Sequence, residues 1–456
     1  MTSTPREAIP TQQPQKPVRA AVVAINMGYG HQRPARSVAT LLGGEVLQAD
    51  LPPLADQEEQ QRWATIRRVY ENVSRISSLP WVGPPFRLAM NSLTNIAPLY
   101  PFRDLSAATP PVSFLERSAR QGLGRSMVAY LEEHDLPLLT TFYSPAVLAD
   151  YHGYDRIYCI VTDSDINRVW APIRPGSSKI HYFAPSGRVV RRMRAYGVNK
   201  NQIELTGFPL PDSLVGGIQA TALRANLAAR LARLDPRRQF RSQYAADLAA
   251  FDPLPEPTEP FHLVFAVGGA GAQAGLSEQF LPSLRELLRS GRMRMTLVAG
   301  VRPEVREQFE HAAERAGLTN ELGTRLNILF EPDIDAYLGR FDALLAGADV
   351  LWTKPSEMVF YAALGLPLLL SEPIGVHENY NRRFARENGA AFAARDPNTI
   401  AERLEELLDD GLLAAAAWAG YKRLPHFGLY RIVDRLAKEQ GDRTGRRDRS
   451  APEADY

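Results

Sequence analysis

A chain of 456 residues is too long for one ordinary core, and at roughly 150 residues per domain it implies two or three units. Hydrophobic residues make up 45% and charged residues 23%, a globular balance that excludes a fibrous or wholly disordered chain. Fifty-three basic against 51 acidic side chains leave +2, which excludes a global electrostatic case for nucleic acid, and one cysteine excludes an internal disulfide.

Residues 1–17 are polar and proline-rich and are expected to form a disordered tail. They lack the apolar stretch of a signal peptide, so a cytosolic location is expected. No run approaches the ~18 apolar residues that span a bilayer, so any contact with the inner face of a membrane would be peripheral.

The run Val18 to Asn26 is rich in β-branched residues and predicts a buried parallel strand. It enters Gly28-Tyr29-Gly30-His31, and Arg33 to Leu42 has helical spacing, with a second strand predicted near Glu45 to Ala49. Between about 51 and 111 the rhythm breaks into an expected helical insertion. There Trp63, Tyr70, Trp81, Phe86, Tyr100 and Phe102 alternate with Arg62, Arg67, Arg68, Arg75, Arg87 and Arg103. Strands are predicted again at Leu138 to Phe142, Arg156 to Thr162, His181 to Ala184 and Ile203 to Thr206. Cys159, inside the apolar run Ile157 to Val161, is expected to be a buried thiol.

A first domain over 18–210 is therefore expected, then a helical and proline-rich linker over 211–260. A second strand–helix series follows over 261–437. Its strands are predicted at Phe261 to Val267, Met295 to Ala299, Leu326 to Phe330, Val350 to Trp352 and Leu366 to Leu370. Residues 438–456 are expected to be a disordered charged tail.

Five constellations could carry chemistry. In the first turn, Gly28 and Gly30 permit close approach of a ligand and His31 opens the next helix, at the strand edge where α/β sheets bind ligands. After the strand ending at Thr162, Asp163 and Asp165 could accept a proton or orient a histidine, and Asp165 could equally cap the next helix. Gly268, Gly269 and Gly271 end the strand that opens the second half. Small residues there let backbone N–H groups face a diphosphate. No Lys and Ser or Thr follow at Walker spacing, which disfavours triphosphate hydrolysis.

Lys354, Ser356 and Glu357 lie where another strand turns into a short helix. Glu357 could bond ribose hydroxyls or simply complement the helix dipole. His377, Glu378 and Asn381 open a later helix and could line one face toward a sugar. His377-Glu378 lacks a second histidine one turn on, so no metal site and no cofactor is expected.

Taken in order, these motifs resemble the monogalactosyldiacylglycerol synthase group of glycosyltransferases, with the peptidoglycan lipid-II-forming glycosyltransferase more distant. Gly28, Gly30, His31 and Ala35 match that group's Gly-x-Gly-His-x-x-x-Ala turn, and Val161, Thr162, Asp163 and Trp170 match its Val-Thr-Asp with a downstream tryptophan. Gly268 to Gly271, Thr353-Lys354, Gly365-Leu366-Pro367 and the Gly375 to Asn381 segment are counterparts of its later motifs. The resemblance spans roughly 18–389.

It implies a fold of the GT-B type, α/β with two Rossmann-like domains whose parallel sheets face each other across a cleft. The first domain would take the acceptor and the second a UDP-sugar, without a metal. His31 or Asp163 would be the base of an inverting transfer to an acceptor hydroxyl, on a lipid in that group. Gly28, Gly30, Gly268, Gly269, Gly271, Lys354, Ser356, Glu357, His377, Glu378 and Asn381 would contact the nucleotide sugar. Where the group carries Pro-Gly and a ribose-binding glutamate, this chain has Pro355-Ser356 and Phe360, with Glu357 a candidate substitute. The arginine and aromatic segment over 62–103 is the expected lipid-facing surface, or a plain amphipathic lid. A UDP-sugar 2-epimerase and a non-catalytic nucleotide-sugar-binding protein are the alternatives.

Overall fold

The computed structural model describes residues 18–25, 28–77, 96–251, 253–268, 271, 273–373 and 375–449. The chain divides into two compact units. One holds His31–Pro211 with the first strand and the chain from Pro425 onward; the other holds Asp212–Leu424, with which Gly28–Gly30 is grouped.

The first unit is built on a six-stranded sheet of order β2-β1-β3-β4-β5-β6. Its strands are β1 (Ala21–Ala24), β2 (Val46–Gln48), β3 (Leu138–Thr140), β4 (Ile157–Ile160), β5 (Ile180–Ala184) and β6 (Ile203–Leu205). All pairings are parallel. Both faces are apolar, so the strands read as continuous hydrophobic runs and the period of two appears only in packing. Ala21, Val23, Leu138, Ile157 and Tyr182 enter one core with the Tyr143–Tyr151 helix, whereas Val22, Ala24, Leu139, Tyr158 and Phe183 enter another with the Tyr29–Leu42 helix. Cys159 is fully buried, and burial pushes its thiol up.

The second core also takes Leu429, Ile432, Val433 and Leu436 from the Gly428–Arg449 helix. This corrects the expected boundary at 437. Four apolar side chains at helical spacing find uncovered strand surface on the first sheet, so the chain from Pro425 belongs to the first unit. Gly428 makes the docking possible, since a Cβ there would lie 2.4 Å from the Phe208 carbonyl oxygen. The helix also continues through most of the expected tail over 438–456, ending at Arg449.

In the second unit the order is β12-β11-β10-β7-β8-β9, again parallel throughout. Its strands are β7 (Phe261–Ala266), β8 (Met293–Gly300), β9 (Leu326–Phe330), β10 (Val350–Thr353), β11 (Leu368–Leu370) and β12 (Ala391–Ala393). The edge strand β12, a run of only three half-buried residues, was not anticipated.

The expected linker over 211–260 is also corrected. Its Thr221–Leu234 helix puts Leu227, Leu231 and Leu234 into the same core as Phe265, Met295 and Trp352. Burial of each leucine contributes on the order of 1.5–3 kcal/mol. Arg230, 1% exposed, donates to the carbonyl oxygens of Ala348, Leu364, Gly365 and Leu345, so a helix rich in arginine is tied into the unit by a buried cation. In the insertion, Trp63 is 5% exposed and packs in the first core, so it is no surface aromatic.

His262, 5% exposed on β7, donates from Nδ1 to the Gly347 carbonyl oxygen at 3.2 Å, and its Nε2 accepts from the Thr296 hydroxyl at 3.0 Å. That arrangement suits a neutral ring. Burial, with Arg294 adding to it, pushes His262 down to about 4. The unfolded chain binds this proton near pH 6.5 and the folded one does not, so the stabilisation is intact above pH 6.5 and is lost as pH falls toward 4. The denaturant midpoint of the second unit is expected to fall over that window by an amount equivalent to on the order of 3 kcal/mol, and a flat profile between pH 6.5 and 4 would contradict it.

Candidate functional site

Each sheet has one position where neighbouring strands send their connections in opposite directions, leaving a crevice beyond the strand ends. In the first unit it lies between β1 and β3, in the second between β7 and β10. Candidate residues gather at both.

At the first crevice, His31 sits in the opening turn of the Tyr29–Leu42 helix that follows β1. Its Nδ1 lies 3.0 Å from the Thr141 carbonyl oxygen just beyond β3, and 3.1 Å from the Thr162 hydroxyl just beyond β4. Thr141 closes the bracket by donating its own hydroxyl to the His31 carbonyl oxygen at 2.8 Å. A carbonyl can only accept, so Nδ1 carries the proton and the lone pair is left on Nε2. Phe142 packs edge-on against the ring at 4.5 Å, and Tyr143 and Trp170 extend this aromatic wall. Asp163, half-buried, follows Thr162 at the same strand end.

Asp165 has a different role from either one expected of it. It is fully buried and paired with Arg192 at 2.8 Å and Arg188 at 2.6 Å, both from the Gly187–Ala195 helix, and it accepts the Ile166 N–H. It thus ties a helix to the β4 loop. Thr141 and Phe142 carry no expected role in the sequence, and Thr162 enters there only through the Val-Thr-Asp match, not as a partner of His31. Their signal was two polar threonines closing apolar strand runs, at the edge where His31 was already expected.

At the second crevice, the pairing of Thr353 with Ala266 sets the ends of β10 and β7 side by side. Gly268 follows β7 with φ +71°, a conformation that favours glycine, and a Cβ there would stand 3.3 Å from Lys354 Cε. The lysine stem therefore lies against the glycine loop. Lys354 Nζ meets Glu378 Oε1 at 2.8 Å, and Gln273 donates to the Glu372 carbonyl oxygen at 3.0 Å, joining the loop to the segment before the Val376–Glu387 helix. Gly271, with φ +66°, belongs to the same turn, whereas Gly269 lies outside the described residues.

Ser356 caps a tight helix, Glu357–Leu364, by accepting the Met358 N–H. This is a 3₁₀ helix with three residues per turn, which places Glu357 and Phe360 on one face. Glu357 is 6% and Phe360 4% exposed, and the Phe360 ring packs 5.3 Å from Phe384. The three members of the expected row, His377, Glu378 and Asn381, differ in access. His377 is exposed while Glu378 and Asn381 are buried, because the helix turns them toward the unit. Gly28 precedes the Tyr29–Leu42 helix with φ +120°, and Gly30 lies in its first turn. Among the described residues no group of three His, Cys, Asp or Glu side chains could hold a metal ion. Among them, too, no helix is long and apolar enough to cross a membrane.

Two parallel six-stranded sheets with covering helices define an α/β protein with the GT-B fold. No family model matches the chain. It is 20% identical over 286 residues to a processive diacylglycerol beta-glucosyltransferase of Bacillus subtilis (strain 168), covering 61% of this chain and 63% of that one. To the protein of the same name from Staphylococcus saprophyticus it is 23% identical over 292 residues, covering 63% and 62%. The chain thus spans less than two thirds of the length of these relatives. Among solved structures, S. aureus MnaA with UDP superposes with a TM-score of 0.50 at 12% identity, covering 92% of this chain and 96% of that one. In sequence the chain is similar to these two glucosyltransferases, and its fold is of the GT-B type.

In long-range nitrogen NMR spectra the neutral His31 ring is expected as the Nδ1–H tautomer. A dominant Nε2–H form would contradict the bracket formed by Thr141 and Thr162.

Proposed function

We propose that the chain is a glycosyltransferase that moves a sugar from a UDP-sugar to an acceptor hydroxyl with inversion at the anomeric carbon, the acceptor being a lipid. The observation that carries this reading is the pair of equipped crevices, one with an oriented imidazole and one with a cation against a glycine loop. The names of the curated relatives support a diacylglycerol-type acceptor, and the UDP in the MnaA structure supports the donor nucleotide.

In this mechanism the first unit handles the acceptor. Nε2 of His31 takes the proton from the acceptor hydroxyl as its oxygen attacks the anomeric carbon, with Asp163 the second candidate base. As that bond forms, the bond from the anomeric carbon to the β-phosphate oxygen breaks and negative charge settles on UDP. Lys354 and backbone N–H groups of the Gly268 loop stabilise this charge, so the scheme needs no metal. The buried Phe360 supplies no ribose hydrogen bond, which leaves Glu357, on the same helix face, as the acid for that contact.

A lipid acceptor requires a peripheral surface. Tyr100 is 53% and Phe102 63% exposed, in contact at 4.5 Å beside Arg103, an aromatic and basic combination suited to headgroup level. The candidates Trp81, Phe86 and Arg87 lie outside the described residues, and so do the side chains of Arg67, Tyr70 and Arg75.

His31→Ala and Asp163→Asn are each expected to lower sugar transfer by about 10²–10⁴-fold, and full rates in both would remove the base assignments. EDTA should leave the rate unchanged. Conversion of UDP-GlcNAc to its 2-epimer without an acceptor would favour the epimerase alternative instead. Vesicles containing anionic lipid are expected to float the protein, and the Tyr100→Ser, Phe102→Ser double variant to lose flotation; flotation independent of anionic lipid would leave the segment a lid.

A further inference from the structure

Glu378 places a carboxylate where the proposed donor chemistry calls for positive charge. Its partner Lys354 leaves the end of β10, lies along the Gly268 loop and meets Glu378 Oε1 at 2.8 Å. The two side chains differ in access: 22% of Lys354 is exposed against 3% of Glu378. Glu378 is held in the first turn of the Val376–Glu387 helix and buried within the unit, while Lys354 sits on a flexible stem. An incoming anion therefore reaches the ammonium and not the carboxylate.

A buried charge needs its partner, so Glu378 holds the ammonium beside the glycine loop when that loop is empty. Once a diphosphate engages Lys354, the same carboxylate lies near a second negative group in a poorly solvated setting, and the two repel. Asn381, one turn further on and fully buried, carries no charge to offset this repulsion.

We propose that Glu378 is a built-in counter-ion that competes with the nucleoside diphosphate for Lys354, keeping the lysine placed while weakening the hold on the leaving UDP. The inference rests on the donor reading given above. It makes Glu378 a positioning residue that acts through Lys354, distinct from a group that bonds sugar hydroxyls.

Calorimetric titration of the full-length protein with UDP and with uridine tests it. Glu378→Gln keeps the shape and removes the charge, and UDP is expected to bind about tenfold more tightly, with uridine unchanged. Lys354→Met should weaken UDP and spare uridine. If the glutamine variant fails to fold, Glu378→Met, neutral and similar in volume, is expected to show the same gain. Wild type that binds UDP beside a folded neutral variant with equal or weaker affinity overturns this inference alone. Wild type that binds uridine and UDP equally well, or neither, overturns the donor reading and the inference with it.

Discussion

Two parallel strands whose connections depart to opposite sides leave a gap beyond their ends, and the candidate functional residues of each unit gather at that gap. In the first unit the connection after β1 packs with Ala35 and Val38 on one face, while the connection after β3 packs with Ala146 and Leu148 on the other. The second unit repeats the arrangement around β7 and β10. Backbone groups at these strand ends are not consumed by the ladder, so they can orient a side chain or face a ligand.

The two gaps are equipped differently. In the first, the Thr141 carbonyl, the Thr162 hydroxyl and an aromatic wall meet the His31 ring, and the Thr141 hydroxyl holds the His31 backbone carbonyl. The second gap is organised by charge, through Lys354 and its buried partner.

Elsewhere the buried ions are structural. Asp165 with Arg188 and Arg192 secures a helix of the first unit, and Asp349 with Arg233 does the same in the second. Burial raises Asp349, while Arg233 and the His262 N–H act to lower it, so the folded pair tolerates a carboxylate at the base of the second sheet. Such pairs are poor sources of net stability but are costly to break, which suits them to holding one arrangement.

The sequence by itself determined the two strand–helix series, most of the strands that carry them and the turns at which the candidate site residues lie. Continuous β-branched runs and glycine turns are local signals, and doubly covered parallel sheets produce them directly. Only the tertiary structure decided which face a segment joins. The alanine- and arginine-rich helix near 230 reads as a linker until its leucines meet the second core, and the start of the final helix reads as the end of the second domain until its apolar stripe covers the first sheet. The same holds at the sites. Glycines and a histidine at strand ends are visible in one dimension, but the bracket of Thr141 and Thr162 around His31 joins positions more than a hundred residues apart. The pairing of Lys354 with Glu378 likewise depends on where the Val376–Glu387 helix packs, a consequence of burial that no local pattern encodes.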